Sequence, residues 1–135
     1  MAGKQGDGKN LTGVWNGLYS YPHSMPPVSF TAILIESGTS ISGTTHEPGE
    51  SVGASGLAYA TLFGRRTDST VDFTKTYDGG ASHAVEYVGR INEDATEIEG
   101  SWRIPGVWSG KFLMIRAGGQ EEVVTTENLE PVGER

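Results

Sequence analysis

Apolar and polar residues alternate along most of this chain, and such alternation is typical of β-strands with one buried face. The period of two extends from Leu11 to Arg116, and clusters of Gly, Pro, Asn and Asp interrupt it at short intervals. The pattern predicts eight strands, at residues 11–21, 28–36, 40–47, 55–64, 69–77, 82–91, 95–104 and 108–116. Residues 1–10 and 117–135 lack the period and are predicted to be flexible polar tails around one all-β domain at residues 11–116.

Closure of the predicted strands into a barrel follows from the short connections between them. Short connections favour antiparallel hairpins in sequence order, and as an open sheet the strands would leave two long edges unpaired. Pairing of the first strand with the last removes both edges, so we predict an eight-stranded antiparallel up-and-down barrel. An interior of this size holds side chains and one small ligand. The inward phase of the alternation supplies the core candidates Trp15, Phe73, Trp102 and Phe112.

The second and fourth predicted strands are apolar on both faces. Residues 30–35 read FTAILI and residues 57–63 read LAYATLF, so neither phase is clearly polar. A strand with two apolar faces is usually covered on both sides. We therefore predict that a second copy of the chain covers this part of the outer wall, in a homo-oligomer that is a dimer or a tetramer.

Composition and charge exclude several classes of function. The chain has 135 residues with 10 basic and 17 acidic side chains, a net charge of −7, which disfavours binding to nucleic acid or to anionic membrane. Cysteine is absent, so no disulfide or thiolate site exists. The histidines His23, His46 and His83 fall on different predicted strands and loops, and we predict neither a metal site nor a cofactor. The N-terminal residues lack the apolar run of a secretion signal, which predicts a cytoplasmic location.

Three segments resemble the avidin and streptavidin barrels of the broader lipocalin-like group. They are LTGVWNGLYSYP at the first strand, SISGTTHEPGESVGASGLAYATLFGRRTD at the third and fourth, and HAVEYVGRINEDATEIEGSWRI at the sixth and seventh. The resemblance covers residues 11–116 and implies an avidin/lipocalin-like barrel with a small ligand in its interior. It places Trp15 and Trp102 at buried positions, and Trp108 where such proteins lend a tryptophan across a subunit interface.

The residues that bind biotin in that family are mostly not matched. Different residues stand at the corresponding positions of this chain, namely Gly17, Tyr21, Thr45, Tyr77, Tyr87 and Arg116. A site built to hydrogen-bond its ligand discriminates strongly when those partners are lost, so the resemblance does not extend to biotin as the ligand.

The same resemblance implies a set of side chains at the cavity end of the barrel: Tyr19, Tyr21, Thr45, Glu47, Lys75, Tyr77, His83, Tyr87 and Arg116. Two hypotheses explain the charged members. In the first, Lys75 and Arg116 neutralise an anionic ligand between tyrosine walls. In the second, Lys75 pairs with Glu47 or Glu36, Arg116 stacks on an aromatic ring, and no ligand is bound. The Gly-rich segment 47–56 is either a lid over the cavity or a solvent loop.

Three functions remain open from the sequence. The first is a non-enzymatic barrel that binds a small anionic or aromatic molecule. The second is a ligand-free barrel that acts as an oligomeric interaction module through its apolar outer strands. The third is a barrel enzyme that uses cavity tyrosines with Lys75 or Glu47 for proton transfer, which requires a strongly perturbed pKa at one of them.

Overall fold

Eight antiparallel strands form the fold in the computed structural model, which describes residues 10–22, 25–49, 55–78 and 84–117. They are β1 (Gly13–Ser20), β2 (Val28–Ser37), β3 (Ser40–Pro48), β4 (Leu57–Thr67), β5 (Thr70–Tyr77), β6 (Ala84–Ile91), β7 (Glu97–Ile104) and β8 (Trp108–Arg116). All eight predicted strands are confirmed. The largest difference lies in β4, which ends at residue 67 rather than 64 because its last residues still pair with β5. Nearly all of the predicted tails and the middle of the predicted lid segment lie outside the described residues.

The sheet is closed. Each strand pairs with the next one along the chain, and β1 pairs with β8 from Trp15↔Arg116 to Ser20↔Lys111. This order confirms the predicted up-and-down barrel, in which no strand is left with a free edge. The described residues include no helix with the length and apolarity needed to cross a membrane.

Because the sheet is closed, one face of every strand points into the barrel and the other points outward. Trp15, Phe73, Trp102 and Phe112 are all buried in the core, in the inward phase assigned to them. Trp15 Nε1 donates to the carbonyl of Leu11 at 2.9 Å, so its polar edge is satisfied inside the barrel. The core extends through the full length of the barrel.

The two ends of the barrel differ in the length of their connections. At one end, here called the hairpin end, the connections are residues 38–39, 68–69 and 92–96. At the other, the loop end, they are residues 21–27, 49–56, 78–83 and 105–107. Long connections at one end of a barrel leave room for a binding site there, whereas tight hairpins do not.

Close approach between strands requires glycine at Gly100 of β7. Its α-carbon faces the barrel interior, and a β-carbon there would overlap the carbonyl of Val88 and the α-carbon of Gly89 on β6. Backbone atoms cannot move aside as a flexible side chain can.

Gly100→Ala should therefore destabilise the fold by about 1–3 kcal/mol, the usual cost of overpacking. The exposed neighbour Ser101 supplies the control, because Ser101→Ala should change stability by less than about 0.5 kcal/mol. Urea unfolding followed by tryptophan fluorescence measures both. Equal stability of the two variants would contradict the packing described for Gly100.

Candidate functional site

A buried ion pair lies in the half of the barrel next to the loop end. Lys75 on β5 donates from Nζ to Glu47 Oε1 on β3 at 2.7 Å, and both side chains are about 1% exposed or less. Between these strands β4 supplies Ala58 and Ala60, whose short side chains leave room for the pair to meet. Glu36, the other predicted partner of Lys75, instead pairs with Arg66 at 3.0 Å.

Tyrosine hydroxyls complete the coordination of the Glu47 carboxylate. Tyr19 OH donates to Oε2 at 2.6 Å, and Tyr77 OH donates to Oε1 at 3.0 Å. Lys75 Nζ also lies 3.5 Å from Tyr87 OH. Hydrogen bonds to an ionised acceptor are stronger than neutral ones, so three donors hold this carboxylate in one orientation.

Aromatic rings surround the Lys75 ammonium. Its Nζ lies 4.9–5.7 Å from the ring centroids of four residues, Tyr19, Phe30, Tyr77 and Tyr87. At these distances a cation is attracted to the negative face of each ring. Lys75 therefore has a carboxylate on one side and π-faces around the rest of its head group. We refer to Glu47, Lys75, Tyr19, Tyr77 and Tyr87 together as the charge cluster.

Burial shifts the ionisation of this cluster. Desolvation lowers the pKa of Lys75 below its usual value, although the charge of Glu47 and its hydrogen bond act in the opposite direction. Burial also raises the pKa of Tyr77 and of Tyr87, and the nearby Glu47 carboxylate raises both further. The two phenols are held in their neutral form, in which Tyr77 donates to Glu47 and the oxygen of Tyr87 accepts from Lys75.

An aromatic group lies at the loop end beside the charge cluster. The ring centroid of Tyr21 lies 4.9 Å from that of Trp108 and 5.6 Å from that of Trp102, and Tyr19 continues the contact into the barrel. Trp102 Nε1 donates to the carbonyl of Ser20 at 2.9 Å, which fixes its ring. The structure thus places Trp108 half-buried against its own chain, while the predicted role of this residue at a subunit interface stays a prediction.

The structure places Arg116 at the hairpin end, far from Lys75, whereas the sequence reasoning grouped both at the cavity end. Its guanidinium lies 4.7 Å from the ring centroid of Trp15 and donates to the carbonyls of Asn10, Thr12 and Ala95. Burial lowers the pKa of Arg116, and the charge of Glu36 opposes this. Alternation correctly assigns Arg116 to the inward phase, but it does not say at which height along the barrel a residue lies. Arg116 therefore closes the hairpin end.

The remaining predicted site residues lie in different places. Thr45 is 2% exposed on β3, two residues before Glu47, and its hydroxyl has no hydrogen-bond partner among the described residues. His83 lies outside the described residues. Phe30, which contacts Lys75, is absent from the sequence-based set because its strand is apolar on both faces. The structure sets Phe30 opposite Gly17, where a β-carbon would overlap the ring of Phe30. The glycine in an otherwise bulky inward phase of β1 is the sequence feature that could have indicated a large residue opposite it.

Comparison of the sequence with protein-family models and with curated proteins gives no match. The closed eight-stranded up-and-down barrel is consistent with a calycin-like fold. Within the described part of the chain, His, Asp and Glu side chains form no group of three able to hold a metal ion.

Removing one member of the buried pair should be far more costly than removing both. Glu47→Leu or Lys75→Met alone leaves an uncompensated buried charge and should each destabilise the fold by about 3–5 kcal/mol. The double variant should lose much less than the sum of the two, as measured by urea unfolding in a double-mutant cycle.

The exposed pair Arg103 and Glu86, 2.9 Å apart with side chains 66% and 44% exposed, is the matched control. Glu86→Leu and Arg103→Met should couple by less than about 1 kcal/mol because solvent screens both charges. Additive losses at Glu47 and Lys75 would show that they are not coupled.

The raised pKa values of Tyr77 and Tyr87 predict loss of stability in alkali. Phenols of an unfolded chain ionise near a pH of about 10, whereas the folded state keeps these two protons to higher pH. The stability they contribute is therefore present at neutral pH and falls as the pH rises above about 10.

Phenolate absorbance in the near ultraviolet, followed against pH, measures this directly. At least two of the five tyrosines should ionise only together with the loss of tryptophan fluorescence that reports unfolding. Full ionisation of all tyrosines in a folded protein would contradict the burial described for Tyr77 and Tyr87.

Proposed function

We propose that the protein is a non-enzymatic barrel that binds one small molecule at the loop end, with the charge cluster as the floor of the site. The observation that carries this proposal is the Lys75–Glu47 pair, 2.7 Å apart and almost fully buried in the barrel interior. Apolar residues of similar volume would stabilise a core at least as well as a buried ion pair. The presence of two buried charges and three tyrosines therefore favours a role in recognition over a role in stability.

A ligand could enter the barrel more easily at the loop end than at the hairpin end. The hairpin end is filled by Leu11 and Trp15 and covered by Arg116, while Tyr21 and Trp108 at the loop end are only partly buried. A ligand entering there would meet the rings of Tyr21, Trp108 and Trp102 before it reached the hydroxyls of Tyr19 and Tyr77. This combination of apolar walls with a few placed polar groups is usual for small-molecule sites.

The charges of the cluster cancel, which argues against an anionic ligand. Glu47 neutralises Lys75, and Arg116 lies at the other end, so no unpaired cation among the described residues of the site attracts an anion. The aromatic walls instead favour a neutral, planar ligand with at least one polar group. Kinship with avidin-like barrels is part of this proposal and is supported by the positions of Trp15 and Trp102, although biotin is not the expected ligand.

Two fluorescent probes test the proposal, neutral N-phenylnaphthylamine and anionic anilinonaphthalenesulfonate. The neutral dye should bind saturably with one site per chain and should bind more tightly than the anionic one. Tyr21→Ala should weaken its binding about 10-fold through the loss of one aromatic contact.

Phe63→Ala is the matched control, because Phe63 is an aromatic residue that is 67% exposed on the outer face of β4. It should leave the affinity for the dye unchanged. Native mass spectrometry of the purified protein, compared with an acid-unfolded sample, would in addition reveal a ligand that it carries. Absence of saturable binding, or equal losses in both variants, would contradict a site at the loop end.

A further inference from the structure

The outer wall of β1 to β4 carries no charged side chain over most of its area. Its outward-facing residues are Val14, Asn16 and Leu18 on β1, Ser29, Thr31, Ile33 and Ile35 on β2, Ser42, Thr44, His46 and Pro48 on β3, and Leu57, Tyr59, Thr61 and Phe63 on β4. We call this surface the neutral wall. The first outward-facing charge is Arg65, at the hairpin end of β4.

The other half of the barrel has the opposite character. Its outward-facing charges are Asp72 on β5, Glu86 and Arg90 on β6, Glu97, Glu99 and Arg103 on β7, and Lys111 on β8. The two halves are built from the same alternation with the same number of strands. A chain with a net charge of −7 thus keeps charge off one side of its barrel.

The neutral wall is also the main exposed apolar surface in the described part of the chain. Seven of its residues are large, apolar and 42–67% exposed: Val14, Leu18, Ile33, Ile35, Leu57, Tyr59 and Phe63. The register sets Val14 opposite Ile33 and places Ser42 of β3 between Ile35 and Phe63, so the apolar side chains of β1 and β2 and those of β4 flank the uncharged polar face of β3. Exposed apolar side chains clustered on one side of a protein and bordered by polar residues mark an interaction site.

We propose that the neutral wall is the interface through which two copies of this chain pair about a two-fold axis. In such an interface each residue near the axis faces its own copy, so a charge there would face a like charge. A wall without charges meets this condition, whereas a different protein as partner would not require it. Thr44 lies near the centre of the wall, between Ile33 on β2 and Thr61 on β4.

The size of the wall fits a stable dimer. Its seven apolar side chains, each about half exposed, present about 450 Å², taking about 200 Å² for a whole aromatic side chain and about 100 Å² for an aliphatic one. A standard interface buries about 800 Å² on each partner. The serines, threonines, Asn16 and His46 of the same wall supply the remaining area and can hydrogen-bond across the axis.

Charge substitution at Thr44 tests both the interface and the identity of the partner. Wild type should sediment as a dimer across the micromolar range. Thr44→Glu and Thr44→Lys should each be monomeric, with dimerisation weakened about 100-fold or more, because like charges meet at the axis. An equimolar mixture of the two variants should form dimers again, because the two substituted side chains then carry opposite charges across the axis.

Val88→Lys is the control, because Val88 is an outward-facing apolar residue that is 56% exposed on the charged half of the barrel. It should remain dimeric. A wild type that is monomeric throughout, Thr44 variants that stay dimeric, a mixture that stays monomeric, or loss of the dimer in Val88→Lys would each overturn the proposal. A monomeric wild type would leave a different protein as the partner of the wall.

Circular dichroism checks that the exposed substitutions leave the fold intact. The Thr44 variants should also bind N-phenylnaphthylamine as wild type does, since the loop-end site and the neutral wall are separate surfaces. Failure of dimerisation and failure of ligand binding are therefore distinguishable.

Discussion

Pairing of β1 with β8 is the constraint on which the rest of the structure depends. It turns a row of hairpins into a closed wall, so that every second side chain of every strand faces an interior of fixed size. Burying a polar group in this interior without a partner is costly, and among the described buried side chains only the hydroxyl of Thr45 lacks one. The charge cluster, the aromatic packing and the requirement for glycine at Gly100 are consequences of that closed volume.

Inside this volume the ion pair of Glu47 and Lys75 needs the tyrosine hydroxyls to complete the hydrogen bonding of its carboxylate. The carboxylate accepts from Lys75, Tyr19 and Tyr77, so it is held from three sides. Such a network has one good arrangement, whereas an apolar core of the same size would tolerate several. A single arrangement keeps the five side chains of the charge cluster in fixed positions, which is what a preorganised binding site requires.

The sequence predicts the fold well and the site in part, for identifiable reasons. In β5 to β7 one phase is apolar and the other polar, so the inward residues Lys75, Tyr77 and Tyr87 follow directly from the alternation. In β2 both phases are apolar, and the contact of Phe30 with Lys75 could not be predicted. Alternation also assigns a residue to the inner or outer face without fixing its position along the barrel axis, so the sequence does not separate Arg116 from Lys75, although the two lie at opposite ends. The end of β4 was missed because Arg66 and Thr67 have the composition of a turn, yet Arg66 points inward at the hairpin end and pairs with Glu36.

Arg116 has a consequence for the way in which the chain folds. It bonds the carbonyls of Asn10 and Thr12, which are 106 and 104 residues away in sequence, and the pairing of β1 with β8 spans similar separations. Contacts of such range form slowly, because nearly the whole chain has to be ordered before its ends meet. A nascent chain that still lacks β8 has two unpaired strand edges, so pairing of β8 with β1 and β7 is the step that removes the edges at which such chains aggregate.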